Sequence, residues 1–188
     1  MAKCAMTDLT LHRTSPSLRL TENLRDIPFA IHEHLLSEDS VLRPKQREAI
    51  SAVSEKVFAQ ASSLAMIMPT GTGKTVIIAQ MLKGLKLDEQ SNHSAKKALI
   101  VSDSKEGVRQ TKDKLQKYAG IDAGAYYDDE KDLTKDVCIT TYHSWQRKDF
   151  PIDPLDTDLV ILDESHKSIS KARLNTLKKY DNAIWMAF

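Results

Sequence analysis

Short apolar runs punctuate this chain at regular intervals: Leu64-Ala65-Met66-Ile67, Ala98-Leu99-Ile100-Val101, Val137-Cys138-Ile139, Leu159-Val160-Ile161-Leu162 and Ala183-Ile184-Trp185-Met186-Ala187-Phe188. The run from Lys97 to Ser102 is bounded by charge and does not alternate with polar residues, the pattern of a strand buried on both faces. Helical periodicity fills the gaps. Ile50, Val53 and Val57 recur on one face after Pro44, which suits the first turn of a helix. Val76, Ile77, Ile78, Met81, Leu82 and Leu85 predict a second helix ending near Leu87, and Glu106 to Tyr118 a third, basic one. Strands alternating with helices predict parallel βαβ units, hence an open α/β sheet. Residues 1–40 carry weaker signals, a loop at Thr14-Ser15-Pro16-Ser17 and a short helix opening at Pro28, and are expected to form an accessory arm.

At 188 residues the chain fits one domain with a real core. With 27 Lys+Arg against 26 Asp+Glu the formal charge is +1, so no global basic field announces a nucleic acid, and any such partner has to be read from local sites. Lysines at 96, 97, 105, 112, 114 and 117, with Arg109 among them, give way to acids at 122, 128, 129, 130, 132 and 136, a shift read first as a solvated face and second as a phosphate-contacting rim. Cys4 and Cys138 show no zinc-ligand spacing and no disulfide framework, which predicts a reducing, cytoplasmic setting. Neither a secretory signal nor a membrane span is expected.

The chemistry concentrates at Pro69-Thr70-Gly71-Thr72-Gly73-Lys74-Thr75, between a predicted strand and a predicted helix. A buried strand that stops at a Gly-rich turn and restarts as a helix aims backbone N–H groups and the positive end of the helix dipole at one point, where a polyphosphate fits. Gly71 and Gly73 allow the backbone angles such a loop needs. Lys74 is then placed to reach the β and γ phosphates of ATP, and the Thr75 hydroxyl to ligate Mg²⁺. Met68 occupies the position where the general phosphate-loop pattern has its first glycine.

A second site should lie at the carboxyl end of a neighbouring strand, and Asp163-Glu164 follows Leu159–Leu162 directly. Asp163 is assigned to Mg²⁺, and Glu164 to orienting and deprotonating the water that attacks the γ phosphate. An Asp-Glu pair opening a helix, where negative charge favours the dipole, is the plainer alternative.

The pairing of Met68–Thr75 with Leu159–His166 resembles the superfamily 2 helicases and translocases, near the DEAH-box group. From Leu42 to Phe188 the chain is most similar to the helicase-like subunits of type I and type III restriction systems. The resemblance implies a P-loop NTPase fold, a RecA-like three-layer sandwich with a mostly parallel sheet, whose last strand, 183–188, separates the phosphate strand from the acid strand. Leu42–Gln46 looks like the family's adenine-reading element, with Gln46 as the reader. Thr140-Thr141-Tyr142 looks like its third nucleic-acid motif, with Thr140 and Thr141 as phosphate contacts, and Ala98–Gln110 like its first. His166 is expected to couple the acid loop to polar neighbours at the nucleotide.

Two departures qualify the likeness. Ser165 replaces the Ala of the DEAH form, and Ser102-Asp103-Ser104 stands where the first nucleic-acid motif commonly has Pro. The family would continue past Phe188 into a Ser/Thr-Ala-Thr sensor and a second RecA-like domain with an arginine finger, so the chain is expected to be a fragment or a truncated product with that partner domain in a longer parent. The function implied is the ATP-binding and ATP-hydrolysing domain of a helicase or translocase acting on nucleic acid, DNA in the first instance. Its competitors are a nucleotide-binding module without turnover and a P-loop ATPase unrelated to nucleic acid.

Overall fold

The computed structural model describes residues 5–7, 42–58, 63–68, 71–86, 97–164 and 170–188; apart from residues 5–7, the expected arm lies outside them. In chain order the elements are β1 (Ala5–Thr7), α1 (Pro44–Phe58), β2 (Ser63–Ile67), α2 (Lys74–Lys86), β3 (Ala98–Ser102) and α3 (Lys105–Ala119). They continue as β4 (Gly124–Tyr127), β5 (Glu130–Lys131), β6 (Val137–Thr141), the single turn α4 (Tyr142–Trp145), β7 (Leu159–Leu162), α5 (Lys171–Leu177) and β8 (Ile184–Ala187).

The strands form one sheet in the order β1-β2-β8-β7-β3-β6-β4-β5. Every pairing from β2 to β4 is parallel, and only the edges, β1 on β2 and β5 on β4, are antiparallel. As expected, β8 lies between the phosphate strand β2 and the acid strand β7.

Because successive strand residues point to opposite faces, a wholly apolar strand needs a layer on each side. Ile100, Ile139, Ile161 and Met186 face Ile50 and Val53 of α1, Ile77 and Met81 of α2, and Val108 and Leu115 of α3. Their neighbours Leu99, Val101, Cys138, Val160 and Trp185 pack on the other face with Tyr142, Trp145, Leu177 and Tyr180. The result is a three-layer α/β/α sandwich. Burial also pushes the Cys138 thiol up to about 12, so it stays a neutral, apolar core group.

The acids of this stretch lie on the solvated surface as expected, with Asp122, Asp128, Asp129 and Asp136 exposed, but the stretch also carries a strand that the sequence did not predict. Gly124-Ala125-Tyr126-Tyr127 joins the sheet beside β6, and the acids after it take up lysines of α3. Lys112 Nζ lies 2.7 Å from Glu130, Lys105 pairs with Asp128, and Lys135 with Asp122 at 2.5 Å. The hydrogen bond to Glu130 holds the Lys112 ammonium above its ordinary pKa, and the same bond holds Glu130 below its own. Two of the lysines offered to a phosphate rim are therefore committed to the hairpin.

Ser104 explains the missing proline after β3. Its Oγ accepts from Gly107 N at 3.0 Å and so caps α3, whose far end closes on Gly120 in the left-handed region. Gly107 has to lack a side chain, since a Cβ there would run into Ser102 Oγ. Among the described residues no helix is long and apolar enough to cross a membrane.

Candidate nucleotide site

Ends of β2, β3 and β7 open into a cleft of about 750 Å³ lined by Lys74, Thr75, Asp163 and Glu164, with Arg43 and Gln46 along one margin. On the opposite wall Glu106, Gln110 and Lys114 of α3, spaced four residues apart, present one polar helix face. Thr72 and Gly73 line the cleft too, while Pro69, Thr70 and His166 lie outside the described residues. The cleft thus gathers the residues that the sequence separates into two motifs.

Gly71 and Gly73 turn the chain with φ of 77° and 87°, angles that favour glycine. Val76 N donates to Gly73 O at 2.9 Å, so the helix begins within the loop, and Lys74, Thr75 and Val76 of its first turn line the cleft.

Gln46 is 5% exposed and takes part in building the loop. Its Nε2 donates to Thr72 O at 2.8 Å, and its Oε1 accepts from Arg43 N at 2.9 Å. One N–H and one lone pair of the amide remain for a ligand.

That packing makes Gly73 sensitive twice over, because a Cβ at 73 would approach Gln46 Nε2 to 2.5 Å on top of the unfavourable φ. Gly73→Ala is expected to destabilise the fold by about 1–3 kcal/mol and to weaken nucleotide binding. Gly120→Ala meets nothing within 4 Å and serves as the comparison, sharing only the positive φ. Paired denaturant melts and calorimetry check this; nucleotide affinities equally preserved in both variants would remove Gln46 from the argument.

At the acid loop, Asp163 N donates to Val101 O at 2.9 Å and Glu164 N to Asp163 Oδ1 at 3.0 Å. Glu164 adopts φ 53°, the only positive φ outside glycine among the described residues. Such a conformation costs energy and persists where surrounding contacts enforce it. Burial, and then the charge of Glu164, raise the Asp163 pKa above the ordinary carboxylate value, while Lys74 works in the opposite direction. A divalent cation would relieve both causes. One carboxylate and one hydroxyl, Asp163 and Thr75, suit Mg²⁺, which keeps its remaining positions for phosphate and water. The donor set therefore fits the expected metal.

Thr140 and Thr141 are elsewhere. Thr140 is fully buried and its hydroxyl donates to Tyr126 O at 2.7 Å. Thr141 accepts from Ser144 N at 3.2 Å and caps α4. Both hydroxyls serve the fold at the end of β6, outside the cleft.

Arg43, Tyr142 and the first part of the α3 wall lie within motifs read from the sequence, but sequence alone assigns them no role of their own. Nothing in the basic character of α3 distinguished its cleft face from its hairpin face. Tyr142 is 4% exposed, and its hydroxyl donates to Asp163 O at 3.1 Å, a partner 21 positions away.

Comparison with known proteins bears on the family and the fold. Residues 39–188 match the family model described as type III restriction enzyme, res subunit. A putative ATP-dependent helicase, IRC3 of Saccharomyces cerevisiae, is 27% identical over 149 residues, covering 74% of this chain and 21% of the yeast protein. Bacteriophage T4 UvsW superposes with a TM-score of 0.60 at 16% identity over 80% of this chain and 30% of its own. A hypothetical ATP-dependent RNA helicase from Sulfolobus tokodaii gives 0.53 at 19% identity over 86% and 49%. S. cerevisiae Dbp5 bound to RNA and ADP BeF3 also gives 0.53, at 16% identity over 80% and 45%. The chain spans about a fifth of the yeast relative and no more than half of these structures. It belongs to the type III restriction enzyme res-subunit family, and its fold is that of the first RecA-like domain of superfamily 2 helicases.

Proposed function

We propose that the chain binds Mg·ATP between the loop ahead of α2 and the acid loop after β7, and serves as the ATP-hydrolysing first domain of a helicase or translocase. The observation that carries this is the meeting of Lys74 and Thr75 with Asp163 and Glu164 in one cleft, from strands separated by β8. Lys74 neutralises phosphate charge, and the first-turn N–H groups of α2 hold the phosphate oxygens. Glu164 orients the attacking water and accepts its proton. Bound Mg²⁺, held by Thr75 and Asp163, would supply further charge neutralisation on the phosphates. Gln46, together with Pro69 and Thr70 of the phosphate loop and His166 after the acid loop, completes the nucleotide contacts, and the spare amide valences of Gln46 are offered to the adenine.

A longer parent would bring a second RecA-like domain over the cleft. In this domain Arg147 is paired with Asp149, Arg173 lies on the Tyr142 ring and Arg43 lines the cleft margin beside Gln46, and the arginine at the γ phosphate is proposed to come from the partner domain. Calorimetry with ATP, with and without Mg²⁺, tests the core of the reading. No heat of binding in either titration would end it.

The nucleic-acid partner, DNA before RNA, is proposed to be tracked along its backbone at the carboxyl ends of β3 and β6. With the Thr140 and Thr141 hydroxyls turned inward, contact there would use backbone groups and neighbouring exposed side chains such as His143. Weak binding independent of base sequence is expected, falling steeply as salt rises from about 50 to 200 mM. Anisotropy of labelled DNA and RNA oligomers reads it. Affinity indifferent to salt, or confined to one sequence, would contradict a backbone tracker.

A further inference from the structure

One side-chain hydrogen bond ties the third motif to the acid loop. Tyr142 leaves β6, whose only neighbour towards the acid strand is β3, yet its phenol reaches across the end of β3 to donate to the Asp163 carbonyl at 3.1 Å. The ring is fixed from two further sides. Arg173 of α5 places its guanidinium carbon 3.8 Å from the ring centroid, and Trp145 packs on it edge-on at 6.2 Å. Trp145 in turn lies 5.9 Å from Tyr180, whose carbonyl accepts the Trp185 indole N–H at 2.8 Å, so the tyrosine is anchored to β8 as well.

The carbonyl that Tyr142 holds belongs to the peptide joining Asp163 to Glu164, and the left-handed turn begins on the far side of that peptide. A peptide is planar and rigid, so fixing its oxygen fixes the directions in which the Asp163 Cα and the Glu164 Cα leave it. We propose that Tyr142 is a positioning residue for the acid loop, aiming the Asp163 carboxylate into the cleft through its hydrogen bond to the Asp163 carbonyl. It touches neither nucleotide nor metal. The proposal rests on the reading of the cleft as a Mg·ATP site.

Tyr142→Phe keeps the ring beneath Arg173 and against Trp145 and removes only the phenol oxygen. The quantity to read is the ratio of ATP affinities with and without Mg²⁺, by calorimetry on the 188-residue chain. Loss of one such hydrogen bond is expected to lower that ratio about fivefold while metal-free affinity moves less than about twofold. Tyr180→Phe, which removes a buried phenol from the same cluster, is expected to keep the ratio of the unmutated chain. A Tyr142→Phe ratio equal to that of the unmutated chain overturns the proposal. General loosening of the fold would lower both affinities together and leave the ratio alone, so that result overturns it too. An unmutated chain that binds ATP with no enhancement by Mg²⁺ leaves nothing for the tie to aim and is equally fatal. Failure to bind ATP under any condition would instead sink the nucleotide reading itself.

Discussion

In a parent that carries the second RecA-like domain, Glu164→Gln is expected to bind Mg·ATP with about the affinity of the unmutated chain and to hydrolyse it at least about a hundredfold more slowly, the scale of a lost general base. The amide keeps the size and a hydrogen-bond acceptor, but it cannot take a proton from water. Its neighbour behaves differently. Asp163→Asn should leave metal-free binding in place and reduce the benefit of Mg²⁺, since that carboxylate is the one assigned to the metal. The loop geometry allows two adjacent acids to differ in this way. With φ of 53° at Glu164 the chain reverses locally, so the two side chains leave the backbone in different directions. Single-turnover hydrolysis with protein in excess over ATP, alongside calorimetry, measures both quantities. A Glu164→Gln rate equal to that of the unmutated chain would mean that another group, or solvent alone, takes the proton.

What could be read from the residues depended on how far a signal reaches along the chain. The strands β3, β6, β7 and β8 are buried on both faces, and that burial demands the apolar runs by which they are recognised, whereas β2 buries Leu64 and Met66 on one face and leaves Ile67 exposed on the other. Strand β4 escaped because Gly124-Ala125-Tyr126-Tyr127 is four residues long and sits inside an acidic stretch whose charges point to lysines of α3. No local pattern encodes a partner on another element. Turn α4 and the short α5 are likewise set by packing, through Trp145 and Leu177, since neither is long enough to show a helical period.

The site divides the same way. Gly71, Gly73, Lys74 and Thr75 announce themselves because backbone conformation and anion chemistry impose their identities in consecutive positions. Asp163 and Glu164 follow from the rule that ligands gather at the carboxyl ends of parallel strands. Gln46 reads from the sequence as an adenine contact, but its hydrogen bond to Thr72 O spans 26 positions and leaves no trace in local sequence. Thr140 and Thr141 carry a real ambiguity. Two β-branched residues ending a strand suit a sheet as well as a phosphate, and burial of both hydroxyls is a property of the fold around them.

Lys74→Ala should weaken ATP binding about ten- to a hundredfold, corresponding to the roughly 1.5–3 kcal/mol of one charge-assisted interaction. Stability should not fall, because Lys74 opens α2, and alanine is the better helix former at a half-buried position. The substitution has a second consequence through Asp163. Burial and the Glu164 charge already raise the pKa of that carboxyl, and the hydrogen bond from Glu164 N and then the Lys74 charge partly offset them. Removing the lysine favours the protonated acid, so the Asp163 pKa rises further. A protonated carboxyl is a poor ligand for Mg²⁺, so the Mg²⁺-dependent part of nucleotide binding disappears as pH falls through that pKa. In Lys74→Ala this decline should therefore set in at a higher pH than in the unmutated chain. Calorimetric titrations over a pH series, each with and without Mg²⁺, separate the two effects: weaker phosphate binding at every pH, and a displaced onset of the Mg²⁺ dependence. If the affinity fell but the onset did not move, Lys74 would be a phosphate ligand with no electrostatic hold on the acid loop.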